Sequence, residues 1–135
     1  MKYWLVKSEP FKYSWDNLVK DKWTYWDGVR NYGARNFLKQ MQAGDLVLYY
    51  HSNEGLEVVG YAKVIKSFYQ DPTTDDDRWV AVDIEPVHPL VNPVSLKMIK
   101  ADKKLENIRL IKQSRLSVMP VTKGEFDHIV KLGQP

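Results

Sequence analysis

The residues best suited to binding chemistry are concentrated in residues 23–36, with the sequence WTYWDGVRNYGARN. This stretch contains two of the five Trp, two of the eight Tyr, two Arg and two Asn, and it contains no Lys. Aromatic rings offer flat faces for stacking, whereas Arg and Asn offer hydrogen-bonding groups in fixed planar geometry. The combination favours a flat ligand with polar edges, such as a nucleobase. The alternative is a structural loop that buries a few rings.

A catalytic triad is the second chemistry that the residue types allow. Ser8, Glu9, His51 and Ser52 include a nucleophile, a base and an acid. However, the chain has no Gly-x-Ser-x-Gly motif, and His51 and Ser52 are strand neighbours, which point to opposite faces. A hydrolase is therefore not favoured, and the missing nucleophile and cofactor motifs together lead us to expect no enzyme.

Metal and phosphate-loop sites are disfavoured by residue spacing. No two of the three His form a helix-compatible pair, and the chain contains no Cys. Residues 28–33 contain two Gly but match neither a Walker loop nor a Gly-x-Gly-x-x-Gly fingerprint. Residues 70–78 contain three consecutive Asp and are expected to form an exposed acidic loop. We expect no metal and no cofactor.

Composition indicates one globular domain covering residues 1–135. Hydrophobic residues make up 44% of the chain and charged residues 27%, which is typical of a chain with a packed core. The net charge of +3 permits a phosphate-bearing partner without requiring one. No signal peptide and no membrane-spanning run is visible, so we expect a cytoplasmic protein without a membrane partner. The oligomeric state is not indicated.

The candidate residues must be positioned by short strands and helices. Alternating apolar residues predict strands over residues 2–9, 45–52, 56–69, 79–86 and 117–121. Pro89 and Pro93 are expected to break the chain after the fourth of these strands, and Gly60 to mark a bend or a close backbone approach.

Apolar spacing and capping residues predict the helices. Ser14 is expected to cap a helix over residues 15–20, and Ser95 a later short one. A helix beginning near Asn31 is expected to extend through Met41. Thr122 and the Glu three residues later form a capping box before the last helix. The whole pattern predicts an α+β fold with a curved sheet or small barrel flanked by short helices.

Several polar and aromatic residues lie at the predicted strand ends. Ser8 ends the first strand, Tyr50, His51 and Ser52 end a central one, and Trp79 begins another. Strand ends at one rim of a small barrel can converge on one pocket. The alternative is that Tyr50 and Trp79 are core rings.

Separate motifs over nearly the whole chain resemble the EVE domain family. They are Tyr3-Trp4-Leu5-Val6-Lys7-Ser8-Glu9-Pro10, Trp26-Asp27-Gly28-Val29-Arg30-Asn31, Ala34-Arg35-Asn36, Gly44-Asp45, Tyr50-His51-Ser52 and Arg115-Leu116-Ser117-Val118-Met119-Pro120-Val121. The resemblance implies a PUA-like fold, a small and mostly antiparallel β-barrel flanked by short helices. It also implies kinship with YTH domains, which hold a methylated adenine in an aromatic cage. The implied partner is a nucleic acid, DNA or RNA, that carries a modified base, notably a modified cytosine, and the implied role is non-catalytic.

The YTH pattern is similar to three local segments of this chain. Leu5-Val6-Lys7-Ser8 is similar to a strand whose Ser lines the YTH pocket, and Arg78-Trp79-Val80 to the segment with the second cage Trp. Gly28-Val29-Arg30-Asn31 is similar to Gly-Val-Trp-Ser, so Arg30 stands where the first cage Trp would be. Either Trp26 replaces the missing wall, or the ligand is a different base.

The aromatic stretch, the strand ends and the family resemblance together predict a set of ligand-binding residues. They are Ser8, Trp26, Val29, Arg30, Asn31, Tyr50, His51, Ser52, Trp79 and Ser117. Trp26 and Trp79 are expected to stack on or wall the base, and polar residues such as Asn31 to hydrogen-bond its edge.

Arg30 or Arg35 is expected to contact phosphate. A buried ion pair with Asp27 or Asp45 is the alternative for Arg35. The alternatives to a base reader are a component of a nucleotide- or RNA-modifying enzyme and a sensor of a free nucleoside or another small molecule.

Overall fold

Six strands form one mixed sheet in the computed structural model, which describes residues 1–135. The strands are β1 (Tyr3–Ser8), β2 (Thr24–Trp26), β3 (Leu46–His51), β4 (Glu57–Gln70), β5 (Val80–Ser95) and β6 (Val118–Val121). Their order is β2-β5-β4-β3-β1-β6; β1 and β3 are parallel, and every other neighbouring pair is antiparallel.

Five α-helices and one turn of 3-10 helix cover the sheet. They are α1 (Trp15–Asp21), α2 (Tyr32–Leu38), α3 (Leu96–Ala101), the 3-10 helix Lys103–Leu105, α4 (Arg109–Lys112) and α5 (Lys123–Leu132). The predicted α+β class is therefore confirmed. None of these helices has the length and apolar composition of a membrane span.

The sheet is open rather than closed. The end strands β2 and β6 each pair with one neighbour and do not pair with each other. The expected barrel is thus not confirmed.

The long strand β5 shows that the predicted break at the prolines was wrong. It runs for 16 residues and continues past both Pro89 and Pro93. β4 pairs with it in several registers, so that Gly60 lies opposite Pro89 and Val58 opposite Val94. Because a bulge leaves backbone N–H groups outside the hydrogen-bonded ladder, proline is tolerated at such irregularities.

Each face of the sheet carries its own hydrophobic cluster. The first, of 17 buried residues, includes Trp4 of β1 and is covered by α1 and α2. The second, of 14 buried residues, includes Leu5 of the same strand and is covered by α3, α4 and α5. The alternation of side chains along a strand accounts for this division.

The predicted helix caps are confirmed by hydrogen bonds. Ser14 and Ser95 each accept from a backbone N–H in the first turn of α1 and α3. Asn31, which was not predicted as a cap, does the same for α2. Thr122 forms the predicted capping box with Glu125. The helix α2 ends three residues earlier than predicted, although Met41 is still buried.

Candidate functional site

The loop between β4 and β5 carries a buried carboxylate, which corrects the expectation that residues 70–78 are wholly exposed. Asp71 has no solvent-exposed surface. Its Oδ1 accepts from the N–H and hydroxyl of Thr73, at 2.7 and 2.6 Å. Its Oδ2 accepts from the N–H of Gly28 and from Nη1 of Arg30, each at 2.9 Å. Asp71 therefore ties the loop that precedes α2 to the loop that precedes β5.

Hydrogen bonding keeps the Asp71 carboxylate charged. Burial alone would raise the pKa, but the bonds from Thr73, Gly28 and Arg30 outweigh it and lower the pKa to about 2. Arg30 is thus held against a buried carboxylate, and its side chain is still 40% exposed.

Arg35 does not form the alternative ion pair considered for it. Its guanidinium donates to Oδ1 of Asn36 and to the backbone oxygen of Arg78. Asp45 is buried and instead accepts from Nε1 of Trp4 at 3.0 Å.

A cleft of about 880 Å³ lies at the carboxyl end of β1, between the loop before α2 and the segment before β6. The predicted site residues that line it are Ser8, Trp26, Val29, Arg30, Asn31, Ser52 and Ser117. The remaining lining residues are Lys7, Glu9, Lys12, Tyr13, Thr24, Tyr25, Asp27, Gly28, Ser114, Arg115 and Leu116. Seven of the ten predicted ligand-binding residues are therefore brought together.

Tyr50 and His51 do not line the cleft. Tyr50 is 2% exposed and belongs to the second hydrophobic cluster. Nε2 of His51 accepts from the backbone N–H of Trp15 at 3.1 Å. Burial lowers the pKa of His51, which favours the neutral ring that can accept this bond.

Trp79 and Arg35 also lie outside the cleft. The Trp79 ring packs against Tyr32 at 5.1 Å between centroids, and the guanidinium of Arg30 lies 5.6 Å from its centroid. The guanidinium of Arg35 lies 4.9 Å from the Tyr32 ring centroid. No second tryptophan wall therefore faces Trp26 across the cleft.

Two polar side chains of the cleft have restricted hydrogen-bonding roles. The Ser8 hydroxyl donates to the backbone oxygen of Tyr13 at 2.7 Å, so it faces a ligand as an acceptor. Oδ1 of Asn31 accepts from the N–H of Ala34 at 3.0 Å, capping α2. Its amide nitrogen has no partner within the protein, so Asn31 offers two donors to a ligand.

Three basic residues that line the cleft, Lys7, Lys12 and Arg115, were not among the predicted site residues. Nζ of Lys7 donates to the backbone oxygen of Ser114 at 2.6 Å, and burial lowers the pKa of Lys7. Alternation along β1 predicts that Lys7 and Ser8 point to opposite faces, but they are the last two residues of the strand and both line the cleft. Tyr25 lies in β2, a strand of three residues that is too short for a periodic signal.

The model of the EVE domain family matches residues 2–132. The chain belongs to the EVE domain family. Thymocyte nuclear protein 1 from Mus musculus is similar to this EVE domain, with 35% identity over 164 aligned residues that cover 96% of this chain and 73% of the relative.

Two solved structures are similar to this EVE domain. A crystal structure of human THYN1 protein in complex with 5-methylcytosine containing DNA has 32% identity and a TM-score of 0.90, and the match covers 100% of this chain and 99% of that one. A YTH domain of Zygosaccharomyces rouxii MRB1 protein in complex with N6-methyladenosine RNA has a TM-score of 0.61 at 15% identity, covering 99% of this chain and 87% of that one. The second match shows a shared fold only.

Proposed function

We propose that this EVE domain binds a modified nucleobase of a nucleic acid in the cleft, without catalysing a reaction on it. The observation that carries the proposal is the cleft itself. It joins the rings of Tyr25 and Tyr13, beside Trp26, which is 8% exposed and belongs to the first hydrophobic cluster, to a hydroxyl acceptor and a free amide donor. A base lifted from its stack needs both a ring surface and hydrogen bonds to its edge.

A modified cytosine is the ligand that the comparisons favour. The human THYN1 protein was crystallised in complex with DNA that contains 5-methylcytosine, and the match to it covers 100% of this chain. The aromatic cage for a methylated adenine is not favoured, because Arg30 occupies one predicted wall position and Trp79 lies outside the cleft.

The geometry supports a binding module rather than an enzyme. The Ser8 hydroxyl donates to a backbone carbonyl oxygen, and Nε2 of His51 accepts from the backbone N–H of Trp15. No hydroxyl in the cleft is thus activated by an imidazole base. The absence of a metal or cofactor stays a prediction.

Asn31→Asp tests the proposal without removing the helix cap. A carboxylate still accepts from the N–H of Ala34, but it has no donors and adds a negative charge to the cleft. Titration of a labelled oligonucleotide containing one 5-methylcytosine should show binding weakened by about 1–3 kcal/mol, roughly 5- to 150-fold. The midpoint of thermal unfolding should be unchanged or raised.

Asn36→Asp is the matched control. It places the same charge change on the same helix, at an exposed residue that does not line the cleft. It should bind the methylated oligonucleotide as the unmodified protein does, apart from a small salt-dependent loss. Equal affinity of the native chain for methylated and unmethylated oligonucleotides would refute the proposal. The same conclusion follows if the two variants bind alike.

Two further ligands test the alternatives. Free 5-methylcytidine tests a nucleoside sensor, and an oligonucleotide containing N6-methyladenine tests a cage for methylated adenine. A sensor of free nucleosides would bind the nucleoside as tightly as the oligonucleotide, with little dependence on salt. A reader of nucleic acid should bind the oligonucleotide more tightly and lose affinity as salt rises.

A further inference from the structure

The positive charge of the chain is concentrated in residues 97–115. This segment contains seven of the 20 Lys and Arg but only two of the 17 Asp and Glu, so it carries +5 while the rest of the chain carries −2. All seven basic side chains are exposed. None of them forms an ion pair with a carboxylate. Such an unpaired basic surface favours a polyanionic partner.

One end of this segment forms part of the cleft, and the other end forms part of a second hollow. Ser114 and Arg115 line the cleft. Lys97 and Lys100 line a hollow of about 640 Å³, together with Gly55 and Leu56 of the turn between β3 and β4. The basic segment therefore joins two concave surfaces.

The turn between β3 and β4 connects the same two surfaces by a shorter path. Ser52, at its start, lines the cleft, and Gly55 lines the second hollow. The N–H of Leu96 donates to the backbone oxygen of Leu56 at 2.8 Å, which holds the start of α3 against this turn. Three residues of extended chain span roughly 10 Å at most, which is about the rise of three nucleotides along one strand of a duplex.

The side chains first predicted to contact phosphate are engaged elsewhere. Arg30 is paired with buried Asp71, and Arg35 donates to Asn36 and Arg78. The ammonium groups of Lys97 and Lys100, by contrast, form no ion pair with a carboxylate, and both side chains are exposed, so they are free to meet an anion.

We infer that the second hollow holds the phosphate backbone of the nucleic acid whose modified base lies in the cleft. The strand leaves the cleft beside Ser52, crosses the turn between β3 and β4, and meets the ammonium groups of Lys97 and Lys100. This assignment rests on the proposed function, since it takes the cleft as the base site. Phosphate contacts supply affinity and register, while the cleft supplies base preference.

Lys97→Ala with Lys100→Ala tests the assignment through salt dependence. The slope of log K against log salt concentration is negative. Each lost phosphate contact reduces its magnitude by about 0.9 for duplex DNA and 0.7 for a single strand. The double variant should thus lose about 1.4–1.8 from the slope for a 5-methylcytosine oligonucleotide. The ratio of affinities for methylated and unmethylated oligonucleotides should stay the same. Both lysines are exposed, and alanine favours a helix, so α3 should remain folded.

Lys39→Ala with Lys66→Ala is the control of equal charge. Lys66 lies nine residues along β4 from Glu57, roughly 30 Å from the second hollow. Lys39 lies near the same end of β4, with Nζ 5.9 Å from the Phe68 ring centroid. This control should leave the slope unchanged.

The outcomes separate the two proposals. The phosphate assignment is overturned if the two double variants show the same slope of log K against log salt concentration and both still prefer the methylated base. The cleft then remains the base site. If the native chain binds methylated and unmethylated oligonucleotides with equal affinity, the proposed function is overturned. If the Lys97 and Lys100 variant loses binding to phosphatidylserine vesicles but keeps its full slope with the oligonucleotide, the hollow serves a membrane surface, and the assignment is wrong.

Discussion

At the scale of single residues, Asp71 determines the shape of the cleft from outside it. Its carboxylate holds the N–H of Gly28, which has a φ of +75°, and the guanidinium of Arg30. The residues between and after them, Val29 and Asn31, line the cleft. A buried charge is stable only when paired and fully hydrogen-bonded, and Asp71 receives four such bonds.

Replacing Asp71 by Asn should destabilise the fold by about 2–3 kcal/mol at pH 7, because Arg30 loses its partner and one oxygen becomes an amide donor facing other donors. The folded pKa lies below the unfolded value of 3.8, so the contribution of Asp71 is present above about pH 4 and is lost as the pH falls to about 2. Urea unfolding at several pH values should show the difference between native and variant chains shrinking by about 2 kcal/mol over this window.

Asp77→Asn is the control for this experiment. Asp77 belongs to the same acidic loop but is exposed. Its replacement should leave the free energy of unfolding within about 0.5 kcal/mol of the native value. A difference between Asp71→Asn and the native chain that is independent of pH would show that the fold does not lower the pKa of Asp71.

Local sequence could not distinguish Asp71 from its acidic neighbours. Four of the nine residues in 70–78 are Asp, and their composition alone predicts a solvated loop. The partners that bury Asp71, Gly28 and Arg30, lie 43 and 41 residues away. The caps of α1 and α5 were predictable, by contrast, because both hydrogen-bonding partners lie within four residues.

At the scale of elements, α1 meets the sheet where β4 has no side chain. A Cβ built on Gly60 would lie 2.6–2.8 Å from three ring atoms of Trp15. The Trp15 ring is 6% exposed and lies edge-on to Tyr49, 5.6 Å between centroids. The predicted close approach at Gly60 is thus the contact between helix and sheet.

Gly60→Ala should therefore destabilise the protein by about 1–3 kcal/mol, because either the strand or the buried Trp15 ring must shift to admit the new methyl group. Gly124→Ala should have the opposite sign, raising stability by up to about 1 kcal/mol, because Gly124 lies in α5 and its added Cβ would meet nothing closer than 3.9 Å. Denaturant unfolding of both variants measures the two effects.

A second substitution identifies the cause of the loss at Gly60. Phe at position 15 lacks the ring atoms that the new methyl group would touch. Trp15→Phe should therefore destabilise the Gly60→Ala variant less than it destabilises the native chain. The difference between the two free energies should be about 1 kcal/mol or more, which is typical of residues in contact. Additive costs would show that the strand, rather than the ring, resists the methyl group.

Elements with a long periodic pattern were predictable, and those defined by pairing were not. Residues 45–52 and 56–69 alternate over their length and form β3 and β4 almost as predicted. β2 is strand only because it pairs with β5, Trp26 opposite Val82. β5 continues past Pro89 only because bulges opposite it accommodate the missing N–H.

At the scale of the whole molecule, the arrangement of charge depends on the fold more than on the composition. The net charge of +3 is modest, and the basic run over residues 97–115 is visible in the sequence. Only the tertiary structure shows that its two ends, at Arg115 and at Lys97, reach two different concave surfaces. Net charge therefore underestimates the attraction of this EVE domain for a polyanion.

The two hydrophobic clusters share the same strands, so they should unfold together. Trp4 and Leu5 are neighbours on β1 but belong to different clusters, as do Val47 and Leu48 on β3. Loss of either helical layer would expose one face of every central strand to water. A single cooperative transition is expected for a chain of this size.

Two spectroscopic probes can test this coupling separately. The buried tryptophans all lie in the first cluster, so fluorescence reports on that face, while circular dichroism at 222 nm includes α3, α4 and α5 on the other. Leu38→Ala in the first cluster and Leu105→Ala in the second should each cost about 2–5 kcal/mol. Each variant should lower the urea midpoint of both probes equally, because either cavity destabilises the one shared sheet. If Leu105→Ala lowered the dichroism midpoint and left the fluorescence midpoint in place, the helical layer over the second cluster would be an independent folding unit.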